Sequence, residues 1–272
     1  MTTENHFSLF RYYLAGSRVG FQRDLQYRLA AFMVLVGFLI EPVVYLSVWT
    51  AVARTQGGSV GGFDQGQLAA YYVVWTLVRV YNTAFDPKAW EWRIREGRIN
   101  VFLSQPVHMF HRDFSIFMGS KLVWTILWIP IAFVLTLIFR PAIEWHVVNV
   151  AAFAVAIWGG YGVRFLVLYV MGMINFWTTR GAAMFGIVTA LELIFSGRLV
   201  PLQLLPDWAQ SLAARMPFRW TFQFPIEVLI GRLEPAEVLT GLGYQFAWAT
   251  GLGLLFALVW SRAVRRYEAV GN

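Results

Sequence analysis

The chain lacks cysteine altogether, which excludes disulfide frameworks, thiol nucleophiles and cysteine-ligated metals and leaves the redox compartment unmarked. Lysine is nearly as scarce: Lys88 and Lys121 are the only two, and they follow Pro87 and Ser120. A P-loop needs a Gly-Lys pair so that backbone N–H groups and one ammonium can hold the phosphates, so this chain has none with which to hydrolyse nucleotide by itself. Charge is sparse too, at 14% against roughly a quarter in a soluble domain. No His-Glu-x-x-His occurs, and the start MTTENHFSLFRYYLAGSRVGFQRDLQYR lacks the short apolar core and small-residue cleavage site of a signal peptide, so the first span is expected to be retained. Neither an internal repeat nor a low-complexity tract is evident, and a single membrane domain over residues 1–272 is expected, without a soluble module.

What the chain does have is apolar surface: 58% of its residues are hydrophobic, 13 are Trp, and the mean hydropathy is +0.56. That composition belongs to an all-α polytopic membrane protein. The net charge of +7 does not argue for nucleic acid, because no basic, aromatic-interleaved soluble domain is present to bind it. A span needs about 20 mostly apolar residues, and six segments qualify, with approximate limits Leu29 to Val52, Leu68 to Phe85, Phe114 to Phe139, Val147 to Met173, Ala182 to Val200 and Leu239 to Trp260. About 14 Lys and Arg flank one side of these spans and about 6 the other, Arg198 among the latter, which puts both termini and the 86–113 loop in the cytoplasm. Residues 1–28 carry Arg among aromatic and aliphatic residues at loosely helical spacing, as in an interfacial helix that braces span one. The loop RTQGGSVGGFDQG reads as a simple, mobile linker. Residues 201–235 are too polar for a full span yet rich in Leu, Trp and Phe. They read either as short external helices that dip into the membrane or as a surface-lying loop, with a helix starting at Pro206 and Asp207 and Pro217 closing the segment.

Charge concentrates in WEWRIREGRINVFLSQP, residues 90–106. A short amphipathic helix from Pro87 to Glu96, a turn at Gly97 and a second helical turn ending before Pro106 fit this stretch. It is either a rigid knob for a partner or a solvated positive-inside connector whose Trp90 and Trp92 anchor to lipid headgroups. Ionisable residues at membrane depth are candidates for function because they are costly there: Glu41, Arg79, Asp86, Arg164 and Glu192. They are read as a polar substrate path or as static pairs, Glu41 with Arg79 and Arg164 with Glu192. His108 and His111, with Asp113 nearby, have ligand chemistry but are expected to be solvated or lipid-contacting, so no metal site is assigned.

The pattern IREGRINVFLSQPV between spans two and three resembles the coupling segment of type-2 ABC (ABC-2) export permeases, and the runs NFWTTRGAA at 175–183 and GRLVPLQLLPDWAQSLAARMPFRW at 197–220 are also similar to that class. The resemblance covers nearly the whole chain, and its specificity lies in the order and spacing of the motifs. It implies six transmembrane helices with an N-terminal interfacial helix, a coupling helix over 87–106 and external re-entrant helices over 201–235. It further implies a permease subunit of an ABC exporter in the bacterial cytoplasmic membrane, non-catalytic itself, with no cofactor on this chain. A dimer of cytoplasmic ABC ATPase subunits would carry ATP and Mg, and a second permease copy or a paralogue would complete the pathway among membrane lipids. Trp90, Glu91, Trp92, Arg93, Glu96, Gly97 and Arg98 would form the ATPase contact, and Pro201, Pro206, Asp207 and Pro217 would belong to an external gate. An ion-coupled secondary transporter, with its site near the midplane, and a membrane enzyme or assembly factor acting on lipid are the rival readings. A drug-like amphiphile, a lipid, a peptide and a glycan carrier are equally compatible substrates, and import remains open beside export.

Overall fold

The computed structural model describes residues 8–84, 88–178 and 181–267 as an α-helical protein with one two-stranded β pair. Phe85, Asp86, Pro87, Thr179 and Arg180 lie outside the described residues. The first apolar run forms α2 (Arg28–Phe38) and α3 (Ile40–Thr55), broken at Leu39 because Pro42 has no N–H to donate to the Phe38 carbonyl and its ring crowds that oxygen. Helix α1 (Leu9–Gln26) precedes them, and α7 (Met109–Phe139) and α8 (Val147–Met173) follow the charged segment. Rather than bracing span one, α1 lies parallel to the first half of α7. Hydroxyl and ring contacts hold it there: Tyr13 Oη to His111 Nδ1 at 2.8 Å, Ser17 Oγ donating to the Ser115 carbonyl at 3.2 Å and Trp124 Nε1 donating to Asp24 at 2.7 Å.

Four helices among the described residues are long and apolar enough to cross a membrane: Arg28–Thr55, Met109–Phe139, Val147–Phe176 and Pro235–Arg265. The last is most of α13 (Pro235–Arg266), which opens on a Glu234–Glu237 capping box. Only 17% of the apolar stretch of Met109–Phe139 and 6% of that of Pro235–Arg265 is buried, and Phe133, Leu137, Phe246 and Leu254 are more than half exposed. Water does not tolerate apolar faces of that extent, whereas lipid does.

The other two expected spans are shorter. α4 (Gln65–Tyr81) has 17 residues and is the central post of the fold, buried continuously from Leu68 to Val78. Its start is set by the Asp64–Gln67 capping box and by β1 (Ser59–Val60) pairing antiparallel with β2 (Phe63–Asp64). The Gly-rich loop is therefore no simple linker: Phe63 is fully buried under the guanidinium of Arg232, 3.8 Å from its ring centre.

α9 (Gly181–Phe195) stops five residues before the expected end at Val200. The chain then runs non-helically through Ser196 to Pro201, and α4 satisfies its carbonyls: Tyr71 Oη donates to Gly197 at 2.6 Å, Trp75 Nε1 to Arg198 at 2.9 Å and Tyr72 Oη to Leu199 at 3.4 Å. Irregular backbone inside a membrane protein persists only where such partners replace water. Next come α10 (Asp207–Arg215), α11 (Pro217–Thr221) and α12 (Gln223–Leu229). Asp207 begins its helix as expected, but Pro217 opens α11 at the first helical position, where its missing N–H costs nothing, instead of closing the segment. Every residue of α12 is buried, against α4 and α8.

Candidate functional site

The charged segment folds into α5 (Lys88–Arg95) and α6 (Ile99–Leu103), and the chain reverses at Gly97, whose φ of 65° lies in the left-handed region that disfavours a side chain. One side of this pair is an anchor. Arg93 forks onto Asp113 in the first turns of α7, with Nη2 to Oδ1 at 3.1 Å, and Tyr169 of α8 donates its hydroxyl to Oδ2 of the same carboxylate at 2.7 Å. Burial works against the Arg93 charge, but Asp113 more than offsets it and raises the guanidinium above its ordinary value. Trp90 is fully buried, edge-on to Tyr169 with ring centres 5.2 Å apart and within 6.4 Å of Trp260 in α13. Gly172 makes room for it, since a Cβ there would collide with the indole.

The other side is free. Trp92 is 48% and Val101 60% exposed, Glu96 and Arg98 are exposed, Arg98 lies over the Trp92 ring at 4.4 Å, and Glu91 pairs with Arg95 at 2.9 Å along the helix. Of the seven residues assigned to this contact from sequence, Trp90 and Arg93 point inward, Trp92, Glu96 and Arg98 outward, Glu91 is half-buried in its pair with Arg95, and Gly97 makes the turn.

At membrane depth the structure joins Arg164 to Glu192 as expected, through Nε–Oε1 at 2.7 Å and Nη2–Oε2 at 3.0 Å, both side chains nearly buried. Arg164 also donates to the Asn82 carbonyl, and Asn82 Nδ2 donates to the Thr221 carbonyl at 2.7 Å, so the pair ties α8 and α9 to the segment after α9. The expected Glu41–Arg79 pair does not form. Arg198 Nη2 takes both Glu41 oxygens, at 2.9 and 2.7 Å. Glu41 stands halfway along Arg28–Thr55, so Arg198 is a charge at membrane depth, not the loop charge that the tally of Lys and Arg made it. The early end of α9 is what brings it there.

Arg79, half-buried, is left with no ion pair and no hydrogen bond among the described residues; its Nε is buried, and its guanidinium lies over the face of Phe38, 4.9 Å from the ring centre. A cation–π contact is worth about 0.5–2 kcal/mol, less than the several kcal/mol that a charge costs when taken fully out of water.

Beside these pairs, Gln223 orders the start of the segment after α9. Its Oε1 accepts from Leu202 N–H at 2.7 Å and its Nε2 donates to Gln203 Oε1 at 3.0 Å and Glu227 Oε1 at 2.7 Å. The model of the ABC-2 family transporter protein matches residues 39–271. The chain belongs to the ABC-2 transporter family. No curated protein matches it in sequence.

In this ABC-2 permease, a multi-pass membrane protein, the four residues assigned to the gate fall at junctions: Pro201 ends the irregular stretch, Pro206 and Asp207 start α10, and Pro217 starts α11. His108 and His111, expected to be solvated or lipid-contacting, are each half-buried with a ring or hydroxyl partner. His111 binds Tyr13, and His108 stands edge-on to Trp260 at 4.4 Å between ring centres, where burial lowers its pKa. No group of three or more His, Asp or Glu among the described residues could hold a metal. Gly57 to Gly61 spell Gly-x-Ser-x-Gly, but Ser59 is exposed in a β pair and no helix follows it directly, so the geometry of a nucleophile elbow is missing. The sequence reading missed Asp113 as the Arg93 partner, Tyr169, Arg198, Gln223 and Glu227. Asp113 carried one signal, an acid at the start of a basic-flanked span; the others have none without the fold.

Proposed function

We propose that the chain is a six-span permease subunit, with α4 and α9 as its second and fifth spans and both termini in the cytoplasm, moving its substrate across the bacterial inner membrane. A separate pair of ABC ATPase subunits, carrying ATP and Mg, docks on the outward side of α5 and α6 through Glu91, Trp92, Glu96 and Arg98. A second permease copy or a paralogue completes the pathway, and the segment over residues 201–235 forms the external gate. The observation that carries this reading is the two-sided build of α5 and α6: charged and aromatic groups exposed on one side, and on the other a buried lever, Trp90 and Arg93, seated on α7, α8 and α13. ATP-driven closure of the ATPases would push that lever, and the helices would switch between two packings without chemistry on this chain.

Replacing Glu96 and Arg98 together by Ala is expected to abolish co-purification of the ATPase and to reduce transport to background in vesicles, while the stability of the permease changes by no more than the roughly 0.5 kcal/mol of ordinary surface substitutions. Arg215→Ala, on α10, should leave association intact. Retained association and transport in the double variant would remove the docking assignment.

A further inference from the structure

The permease reading leaves the charge of Arg79 unexplained. Its electrostatic neighbours are Arg198, Arg164, Glu41 and Glu192, which makes three guanidinium groups against two carboxylates. Both carboxylates are already taken, Glu192 by Arg164 and Glu41 by Arg198. The Nε atoms of Arg79 and Arg198 are both without a partner among the described residues. The cluster thus holds an excess of positive charge and unused donors, at a depth where an unbalanced charge is not retained without use.

The cluster also reaches an open side of the chain. Glu41 is 40% exposed, and along α3 Val44 and Val48 share its face and are each about half exposed. A carboxylate half-way across the bilayer cannot face hydrocarbon, so this face lines a pathway or a protein contact rather than lipid.

We infer that Arg79, with Arg198 beside it, is the anchor for an anionic group on the transported molecule, a phosphate- or carboxylate-bearing amphiphile whose apolar part lies along Val44 and Val48. The inference rests on the permease reading and names its substrate class. Guanidinium groups bind such anions through two parallel N–H donors, which is the chemistry left unfilled here.

The test uses the full chain in phosphatidylcholine nanodiscs, with monododecyl phosphate as probe and dodecyltrimethylammonium and inorganic phosphate as competitors. Monododecyl phosphate should bind saturably, and Arg79→Gln should weaken it by about 30-fold or more, the loss expected when one partner of a buried charge contact is removed. Arg79→Lys should retain part of the affinity. Without ligand, Arg79→Gln should melt no lower than the wild type, because it removes an unpaired charge; a purely structural arginine would give the opposite. Equal affinity in Arg79→Gln, or equal competition by the cationic amphiphile, would overturn the site. Inorganic phosphate binding as tightly as the dodecyl ester would overturn the amphiphile. Dissociation of a permease dimer by Arg79→Gln with probe binding intact would assign the missing anion to a second chain instead. ATPase co-purification with the wild type is scored separately, so failure of the permease reading is distinguishable from failure of the anion site.

Discussion

Trp90→Ala should release α5 and α6 from the helices they rest on. The indole is fully buried among Tyr169, Phe176 and Trp260, and truncating such a side chain costs about 3–5 kcal/mol. Because the lost contacts join one short segment to the rest, the cost falls on the docking of residues 88–103 and not on the membrane helices. Amide hydrogen exchange in that segment should therefore accelerate by about two orders of magnitude, with α7 and α8 unchanged. Gly172→Val should act in the same way from the opposite side, by filling the space the indole occupies. Trp92→Ala is the contrasting case: Trp92 is 48% exposed, so its loss should leave exchange unaltered and weaken ATPase association. Normal protection of residues 88–103 in Trp90→Ala would refute the anchor, and with it the route from an ATPase to α8 and α13.

The second large effect is expected at Arg164 and Glu192, whose side chains are 13% and 8% exposed. Arg164→Met or Glu192→Leu alone strands its partner's charge in a low-dielectric interior, a loss of about 3–5 kcal/mol. The double variant strands neither and should recover most of that loss, since the Coulomb gain of a buried pair is largely offset by desolvation. Recovery should stop short of the wild type, because Arg164 also donates to the Asn82 carbonyl, which would lose its donor. Thermal unfolding of the four proteins in one detergent gives the coupling energy directly. Single variants no less stable than the double would mean that the pair carries no buried charge.

These effects also show how much of the site was legible beforehand. Arg164 and Glu192 were both visible as charges inside apolar runs, and opposite charges at that depth have few alternatives to each other. Glu41 and Arg79 were equally visible, but pairing them was wrong, because the competitor Arg198 looked like a loop residue. Hydropathy carries an apolar run on to Val200, whereas the helix ends at Phe195 because Tyr71, Trp75 and Tyr72 of α4 offer the following carbonyls better partners than a further turn of helix. The inward turn of Trp90 and Arg93 was hidden for a similar reason: in an eight-residue helix with charge on all sides, only the positions of Asp113, Tyr169 and Gly172 decide which face is buried.

By itself the sequence determined what acts locally or through composition. Apolar runs of membrane length, the scarcity of charge, the missing P-loop, the break at Gly97 and the helix starts at Asp64 and Asp207 follow from solvation and backbone sterics within a few residues. Only the tertiary structure decided which buried charge meets which, why the fifth apolar run stops short, and that Arg79 is left over. An ion pair or a satisfied carbonyl joins residues more than a hundred positions apart, Glu41 to Arg198 and Tyr71 to Gly197, and the free energy of each depends on what else competes for the same partner.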